Sequence, residues 1–386
     1  MGDRKLEIID VHQNINYTIN MTNINKIGFC CKYVQYDGKK GFVSVPELNT
    51  STTTVAWLKK QTQSVAEQKL WDLMVHNIES IKLLVRQVGT LNEQLRMVRL
   101  SSDILPVYTE PNYMYFWQQD YVRSYAEKHF AEVGMLARSL GVRLSFHPGQ
   151  FCVLASSDDD IVRRSIEEFE YHVDMARWMG YGKTWHDEGF KINVHIAGRR
   201  GPAGIVHALA SLSPEARNLI TIENEEITHG LDTCLELEKH CALVLDIHHH
   251  WINTGEYIDP NDDRVKRVID SWRGVRPVMH YSLSREEHLH ESIIRNNVTL
   301  MDLDDLLKNG YKKQKLRAHS DYYWNDAANE WALSFWDNFD ICCESKAKNL
   351  ASFALYEQAQ KQSSLDVQPS LSWEQELLIE PDQLVV

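Results

Sequence analysis

Six short apolar runs in the sequence each end in a histidine or a carboxylate, and together these side chains could do chemistry. They are His147, His195, Glu223, Asp246, His280 and Glu344. An ionisable group directly after a buried apolar run is costly unless it is paired or bound to a metal. Histidine and carboxylate ligands without cysteine suit Zn²⁺, Mn²⁺ or Fe²⁺ better than Ca²⁺ or Mg²⁺. The set exceeds the three or four ligands of one catalytic ion, so it predicts two or three divalent ions.

Each of these residues has a simpler interpretation when it is taken alone. A single histidine at a strand end is more often a hydrogen-bonded structural residue than a ligand. Glu223 alone could form an ion pair. Among the consecutive histidines His248–His250, we expect one or two to bind metal and the others to lie in a solvated loop. The repetition at successive apolar runs is what favours a metal centre.

The positions of these residues follow from a regular alternation of strands and helices. Eight apolar runs alternate with amphipathic segments, a pattern typical of parallel strands covered by helices. Eight such units predict an α/β fold with a closed TIM (β/α)8 barrel, whose carboxyl strand ends meet at one rim. The predicted strands are Lys26–Cys31, Gln94–Leu100, Val142–Phe146, Lys191–Val194, Leu219–Ile222, Ala242–Leu245, Val275–Met279 and Phe339–Cys343.

The chain divides into one large domain and two ends of different composition. Residues 1–25 are rich in Asn and Thr and predict a loosely attached N-terminal arm. Residues 26–360 form the predicted barrel, within which residues 34–60 have the composition of a long loop or insertion. Residues 361–386 form a predicted acidic tail that is disordered, with Trp373–Ile379 as an alternative partner-binding helix.

Bulk composition limits the partners and the location. The formal net charge of -13 counts against a general nucleic-acid binder, although the acidic tail and metal-bound carboxylates reduce its weight. No apolar run reaches the roughly 18 residues of a membrane span, and the first residues lack a signal-peptide core. We therefore expect an intracellular monomer, in the cytoplasm or nucleoid or, in a eukaryote, the nucleus. The seven cysteines lack disulfide or zinc-site spacing and are predicted to be free thiols.

Nine short motifs, in order along the chain, resemble those of the UV damage endonuclease family. They are Gly28–Tyr33, Arg99–Asp103, Ser145–Phe151, Val194–Gly198, Ile222–Glu225, Asp246–His250, His280–Ser282, Ala318–Asp321 and Glu344–Lys346. One motif alone is weak evidence, but the ordered set is specific and extends from about Ile27 to Lys348. The resemblance implies a barrel similar to that of endonuclease IV. It also implies a metal-dependent repair nuclease that nicks DNA immediately 5′ to pyrimidine dimers and 6-4 photoproducts, with tolerance for other lesions.

The resemblance also implies roles for individual residues. It implies Mn²⁺ as the usual ion, with Zn²⁺, Mg²⁺ and Co²⁺ as alternatives, and damaged double-stranded DNA as the partner. Gln150 and Phe151 match a pair that probes damaged bases, and Phe29, which stands where an aromatic residue is expected, is a further candidate for contact with the DNA. Glu223, Asp246 and Glu344 would be catalytic through the ions, and Lys346 would neutralise phosphate charge. The implied ligands are His147, His195, Glu223, Asp246, His249, His280 and Glu344, with His319 as a further site residue.

Other features of the sequence sharpen or limit this interpretation. Arg199 and Arg200 follow His195 closely and, like the basic run Lys312–Arg317, are candidates for phosphate contacts. Some family members carry a histidine shortly after the proline that is Pro106 here, where Glu110 is the candidate replacement. Some also carry a carboxylated lysine beside the strand-seven histidine, which this chain lacks. The number of ions is therefore left open.

Two other classes of protein remain as alternatives. A sugar isomerase of the xylose-isomerase kind also combines a TIM barrel with paired metals bound by Glu, Asp and His. The basic residues near the rim and the segment His147–Gln150 favour DNA over sugar. A non-enzymatic metal-storage or DNA-binding module is the third alternative, but such a role needs no convergent rim of ligands.

Overall fold

The computed structural model of the protein describes residues 24–366 and shows eight parallel strands closed into a barrel. Neighbours around the barrel are in the order β1, β10, β9, β8, β7, β6, β5 and β4, while β2 and β3 form a separate antiparallel hairpin. The predicted TIM barrel is therefore confirmed. The strands are β1 (Ile27–Cys30), β2 (Val34–Asp37), β3 (Gly41–Ser44), β4 (Met97–Arg99), β5 (Arg143–Phe146), β6 (Lys191–His195), β7 (Ile220–Glu223), β8 (Ala242–Asp246), β9 (Val278–Tyr281) and β10 (Asp340–Cys343).

Helices surround the barrel, and the longer ones bury an apolar face. In the long second helix, Leu70, Met74, Ile78 and Ile81 recur at helical spacing and are buried. The helices are α1 (Val55–Leu58), α2 (Gln63–Gly89), α3 (Met114–Trp117), α4 (Asp120–Ser139), α5 (Asp159–Trp178), α6 (Gly201–Ser211), α7 (Pro214–Leu219), α8 (Leu231–Cys234), α9 (Ile247–Thr254), α10 (Asp263–Ser271), α11 (Glu291–Arg295), α12 (Leu303–Lys308), α13 (Lys313–Leu316), α14 (Asp326–Leu333) and α15 (Asn349–Asp366). Short 3-10 helices lie at Pro46–Leu48, Glu93–Leu95, Asp187–Gly189, Leu235–Leu237 and Glu286–His288.

Strand register brings the ionisable strand ends together. The parallel pairing sets His195 opposite Glu223 on β6 and β7, and Asp246 opposite His280 on β8 and β9. Because side chains alternate along a strand, these residues point into the barrel while their neighbours contact the helices. Gly28 is needed for closure, since a Cβ there would lie 2.5 Å from the carbonyl oxygen of Met97.

The amino end of the barrel interior is also charged. We call Lys26, Arg143, Lys191, Arg276 and Asp340 the basal cluster. The Asp340 carboxylate accepts hydrogen bonds from Arg143 Nη1 at 2.7 Å, Arg276 Nε at 2.8 Å and the Lys26 backbone N–H at 2.8 Å. The Lys191 ammonium donates to the carbonyls of Trp185 and Asn218. Every charged group of this cluster thus has partners within the protein.

Some expectations drawn from the sequence fail in the structure. Of the two alternatives for residues 34–60, a long loop or an insertion, the structure favours the insertion, because β2 and β3 form a hairpin outside the barrel that a hydrogen bond from a distant residue stabilises. The amphipathic segment between β7 and β8 does not form one continuous helix, because it divides into α8 and a 3-10 turn. The seven cysteines carry free thiols, as expected. Among the described helices, none has an apolar stretch long enough to cross a bilayer.

The predicted terminal segments lie largely beyond the described part of the chain. The arm at residues 1–25 falls almost wholly before residue 24, and the acidic tail falls mostly after residue 366. Helix α15 continues to Asp366, past the predicted domain end at residue 360. The domain boundaries therefore stay predictions.

Candidate metal centre

Glu223 lies at the middle of the barrel mouth, where its carboxylate faces four histidines. It is the last residue of β7 and is fully buried. Its Oε2 atom lies 3.5 Å from His147 Nε2 and 3.7 Å from His195 Nε2. Its Oε1 atom lies 3.0 Å from His280 Nδ1 and 3.5 Å from His249 Nδ1. The imidazoles thus divide into two pairs, one at each oxygen, which suits a carboxylate shared by two cations.

Neighbouring strands orient this carboxylate. The Asn193 side-chain amide donates a hydrogen bond to Glu223 Oε2, and the Thr221 hydroxyl donates to Asn193 Oδ1 at 3.0 Å. Burial alone would raise the pKa of Glu223, but His280 and His195 hold it well below its ordinary value. Glu223 is therefore an ionised oxygen donor whose position is set by the barrel.

Asp246 has a buried oxygen that the protein leaves without a partner. It ends β8 and caps α9, with Oδ1 accepting the His249 backbone N–H at 2.7 Å. Its backbone exchanges hydrogen bonds of 2.9 and 3.0 Å with the Asn224 side chain, so its position is firmly held. Among the described residues, nothing hydrogen-bonds Asp246 Oδ2. Burial raises the pKa of Asp246 to about 6, although His249 opposes the shift. A buried carboxylate oxygen without a donor calls for a cation.

The three consecutive histidines lie in three environments within α9. His249 faces the carboxylates, and although burial lowers its pKa, Asp246 and Glu223 outweigh burial and raise it to about 9. The rings of His248 and His250 turn away, toward two serine hydroxyls and toward Glu256. The solvated loop expected for part of this run is wrong, since all three histidines are buried in a helix. The geometry brings only one of them to the site.

Glu344 differs from the other two carboxylates because an arginine neutralises it. Arg99, the last residue of β4, forms a buried ion pair with Glu344 through Nη1 and Oε1. Burial would raise the pKa of Glu344, but Arg99 and His280 lower it to about 2. His280 Nδ1 lies 3.4 Å from Glu344 Oε1, and His319 Nδ1 lies 3.9 Å from Oε2. Glu344 therefore already has a permanent cationic partner within the protein.

Two groups of side chains have the geometry and chemistry to hold divalent ions. One comprises His147, His195 and Glu223, the other Glu223, Asp246 and His280, and within each group the ligand atoms lie within 4.8 Å of one another. Nitrogen and oxygen donors without thiolate suit borderline divalent cations such as Mn²⁺ and Zn²⁺. The unpartnered oxygen of Asp246 and the shared position of Glu223 both fit such ions.

The centre opens into a cavity of about 500 Å³ at the carboxyl end of the barrel. Two charged residues of its lining, Arg99 and Glu226, were not among the expected site residues, whereas Arg317 belongs to the basic run expected to contact phosphates. Arg99 lies at the floor, and Glu226 and Arg317 form an ion pair of 2.8 Å at the edge. Arg99 carried a signal, because a charged residue at the end of an apolar run is costly without a partner. Further lining residues are Cys31, Ser102, His147, Gln150, His195, His249, His319 and Glu344.

Comparison with known proteins decides the family. The UV-endonuclease UvdE family matches residues 25–373. The chain belongs to this family. A UV DNA damage endonuclease of Bacillus cereus (strain B4264) is 24% identical over 320 residues, covering 80% of this chain and 88% of the relative. One from Bacillus velezensis is 26% identical over 265 residues, covering 66% of this chain and 78% of the relative. The crystal structure of SacUVDE, 19% identical, has a TM-score of 0.64 and covers 88% of this chain and 99% of that one, so it shares the fold.

In this UvdE family chain, the two residues expected to contact damaged bases are adjacent and exposed in the loop after β5. Gln150 is exposed and lines the cavity. Phe151 is 85% exposed and lines a second pocket, which shares Ser102, Gly149 and Cys152 with the cavity. Both follow β5 in the same loop as His147, so the strand that delivers a ligand also delivers them.

Phe29 does not lie at the surface as the resemblance implied. Its side chain is 1% exposed and packs in the main hydrophobic core, with its ring 5.9 Å from that of Tyr33. Strand alternation explains the difference, because Gly28 and Cys30 take the inward positions of β1 and Phe29 faces the helices. A role for Phe29 in DNA contact is therefore wrong for this structure.

The residues expected to contact phosphate differ in exposure and in whether their charge is already paired. Arg199 is exposed after β6, whereas Arg200 Nη2 lies 2.7 Å from Asp159 Oδ1, so its charge is already paired. Lys346 is half-buried after β10 and makes no ion pair within residues 24–366. Glu110 accepts a hydrogen bond from Asn112 and belongs to neither ligand group, so nothing supports it as a replacement ligand.

Proposed function

We propose that this protein is a metal-dependent DNA repair endonuclease that nicks the backbone immediately 5′ to UV photoproducts. The observation that carries the proposal is the position of Glu223, whose two oxygens face two pairs of imidazoles inside an open cavity. The metal-ligand geometry belongs to a chain of the UvdE family, whose curated relatives are named UV DNA damage endonucleases.

The roles of the side chains follow from their partners. We propose that Glu223 is shared by two ions, that His147 and His195 complete one site, and that Asp246 and His280 complete the other. Mn²⁺ is the proposed ion, with Zn²⁺, Mg²⁺ and Co²⁺ as alternatives. Bound there, divalent ions would supply an activated water and charge stabilisation for phosphodiester hydrolysis.

Residues near the ions have separate proposed roles. His249 carries its proton to higher pH than a free histidine and lies beside Glu226, so it would compensate negative charge or act as a third ligand once deprotonated. Arg99 and Glu344 are proposed to fix the charge of the cavity floor, and His319 completes that side. Lys346 and Arg199 would contact backbone phosphates outside the cavity.

Recognition of the lesion is proposed to depend on the exposed residues of the β5 loop. Damaged bases are weakly stacked, so displacing them from the duplex costs less than displacing intact ones. Phe151 would enter the gap left by the displaced bases and Gln150 would hydrogen-bond beside it, offsetting the lost stacking. We propose damaged duplex DNA in the nucleoid or nucleus as the substrate, and a monomer as the acting form.

A duplex with one site-specific cyclobutane dimer, end-labelled on the damaged strand, tests the proposal directly. With Mn²⁺, wild-type protein should produce one cut immediately 5′ to the dimer, with a 3′-hydroxyl that a polymerase extends. EDTA should abolish the product and Glu223→Gln should slow its formation strongly, while an undamaged duplex should stay intact. Cutting elsewhere, or equal cutting of both duplexes, would contradict the proposal. The sugar isomerase alternative, which the family match does not favour, predicts ketose formation from xylose and no nick.

A further inference from the structure

The hairpin formed by β2 and β3 lies on the same rim as the cavity. It begins at Val34, shortly after Cys31, which lines the cavity. On its other strand, the Phe42 ring lies edge-on to that of Tyr322, with centroids 6.5 Å apart. Tyr322 follows soon after His319, a second cavity-lining residue. One strand of the hairpin therefore continues from a segment that lines the cavity, and the other strand contacts a second such segment.

Two buried asparagines hold the base of the hairpin rigidly. Asn349 accepts the Val34 N–H at 2.8 Å and donates to the Val34 carbonyl at 3.0 Å. Asn49 makes the same pair of bonds with Tyr33, at 2.6 and 2.8 Å. These side chains act as a backbone partner would, so the hairpin projects from the rim in a fixed direction.

The tip of the hairpin presents two lysines and an aromatic ring to solvent. Asp37 accepts the backbone N–H groups of Lys39 and Lys40 at 2.8 and 3.2 Å, which closes the turn and places both lysines at its end. Both are exposed, and within residues 24–366 neither ammonium has a carboxylate partner. Tyr36 beside them is 70% exposed.

The two lysines place local positive charge near the cavity of a chain whose net charge is -13. An unpaired lysine pair beside an exposed aromatic ring is the combination that binds a nucleic acid strand, because ammonium groups contact phosphates and the ring packs on a sugar or base. A rigid support lowers the entropy lost when such contacts form. The chemistry therefore fits a polyanion with flat bases rather than an acidic protein surface.

We propose that the β2–β3 hairpin docks the DNA backbone next to the cavity, with Lys39 and Lys40 on phosphates and Tyr36 against a sugar or base. This inference rests on the proposed function and adds a binding element to it. The hairpin would hold the duplex in register with the metal centre without touching the reacting phosphate. Its loss should therefore weaken binding and leave the chemical step intact.

The lysine pair is tested by binding of a fluorescent dimer-containing duplex in EDTA, measured by anisotropy across salt concentrations. For Lys39→Ala/Lys40→Ala, we expect affinity to fall about tenfold near 0.1 M salt, and the slope of log K against log salt to decrease by about 2 in magnitude. The matched control is Lys183→Ala/Lys239→Ala, two exposed lysines preceding β6 and β8 at the opposite end of the barrel. The control removes the same charge and should keep the wild-type slope.

Tyr36 is tested in the nicking reaction on the same duplex. Tyr36→Ala should raise KM about fivefold to tenfold, as loss of one stacked base contact does, with kcat unchanged. Tyr36→Phe should restore KM, and Tyr121→Ala, which removes another exposed tyrosine from α4, should leave it unchanged. Melting temperature and bound metal should match wild type in every variant, which excludes misfolding as the cause.

The possible failures are distinguishable. If wild-type protein nicks at the dimer while the lysine variant keeps its salt slope and the Tyr36 variants keep their KM, the hairpin inference is overturned and the proposed function stands. If wild-type protein neither binds nor nicks damaged DNA, both are overturned. A fall in kcat at constant KM in Tyr36→Ala would also overturn the docking role.

Discussion

The two ends of the barrel interior are both lined with buried charge, but only one end is satisfied by the protein itself. At the amino end, Asp340 receives hydrogen bonds from two arginines and a backbone N–H. At the carboxyl end, Asp246 Oδ2 has no donor among the described residues, and Glu223 is surrounded by imidazoles instead of permanent cations. The first end is complete without a ligand, and the second is not.

This difference separates structural from functional buried charge. Burying an ionised group costs several kcal/mol unless partners replace its water. In the basal cluster, hydrogen bonds and ion pairs within the protein offset that cost, so no ligand from solution is needed. At the mouth, burial raises the pKa of Asp246 to about 6, and repulsion from Glu223 and Glu344 adds to the shift. A charged cluster that remains incomplete inside a well-packed barrel indicates a ligand site.

The largest expected effect is the loss of nicking in Glu223→Gln. The amide keeps the shape but removes the charge shared by both ligand groups. We expect the rate of nicking to fall by on the order of 10²–10³, the size seen when one essential electrostatic contact is removed. Quench-flow measurement of single-turnover cleavage on the dimer duplex gives the rate of nicking, and metal analysis of the dialysed protein gives the number of bound ions.

The matched variant is Glu226→Gln, at the edge of the same cavity. Glu226 faces His249 at 3.8 Å and is paired with Arg317, but belongs to neither ligand group. Its loss should change the rate by less than about tenfold. Equal losses in the two variants would show that the charge of the cavity, not the position of Glu223, matters.

The second prediction contrasts the two ends in stability. Asp340→Asn removes the charge that pairs with two buried arginines, so it should lower the free energy of unfolding by about 3–5 kcal/mol. Asp246→Asn keeps the α9 cap and relieves repulsion between carboxylates, so in EDTA it should change this free energy by less than about 1 kcal/mol. Urea denaturation at pH 7 measures both. If Asp246→Asn lowered the free energy of unfolding as much as Asp340→Asn does, the proposed difference between the two ends of the barrel would be contradicted.

The features predicted correctly from the sequence depend on local pattern, and those missed depend on distant partners. The eight strands show as apolar runs, and the residues that follow them are recognisable because ionisable groups rarely end buried strands. The ion pair between Arg99 and Glu344 joins residues 245 positions apart, and no local pattern indicates it. The hairpin base depends on Asn349, 315 positions from Val34.

Phe29 shows a different limit. In a strand of four residues, all buried, the inward and outward faces cannot be told apart by hydrophobicity. Only the pairing of β1 with β4 and β10 decides which side chains enter the barrel. Motif resemblance gave Phe29 a place at the DNA surface, but register places its ring under the helices.

The third prediction concerns the stabilisation that metal ions give by binding to the carboxylates at the barrel mouth. Ions that bind only the folded state stabilise it by about 2.7 kcal/mol at a hundredfold excess over Kd, which corresponds to roughly 4 °C in melting temperature for a domain of this size. Calorimetry with Mn²⁺ should show this shift for wild type and for Asp340→Asn, whose baseline is lower. Asp246→Asn should lose most of it. A shift that disappears with Asp340→Asn instead would place the ions at the wrong end.

The smallest expected effect concerns Lys191 in the basal cluster. Burial lowers its pKa to about 7 in the folded protein, whereas in the unfolded chain it lies near 10.5. Between these values the unfolded state holds a proton that the folded state does not, so this lysine makes stability rise with pH across that window. Lys191→Met should remove this rise of stability with pH. The free energy of unfolding of wild type, relative to that of the variant, should therefore increase by roughly 1–2 kcal/mol between pH 7 and pH 8.5. Urea denaturation at the two pH values measures this change, with exposed Lys239→Met as the control that should show no pH-dependent difference from wild type.

If the difference between Lys191→Met and wild type did not change with pH, the Lys191 ammonium would stay charged throughout. This ammonium donates to two carbonyls and lies 3.9 Å from the centre of the Trp185 ring. The basal cluster would then be satisfied even more completely than its burial implies, and the contrast with the mouth would be sharper.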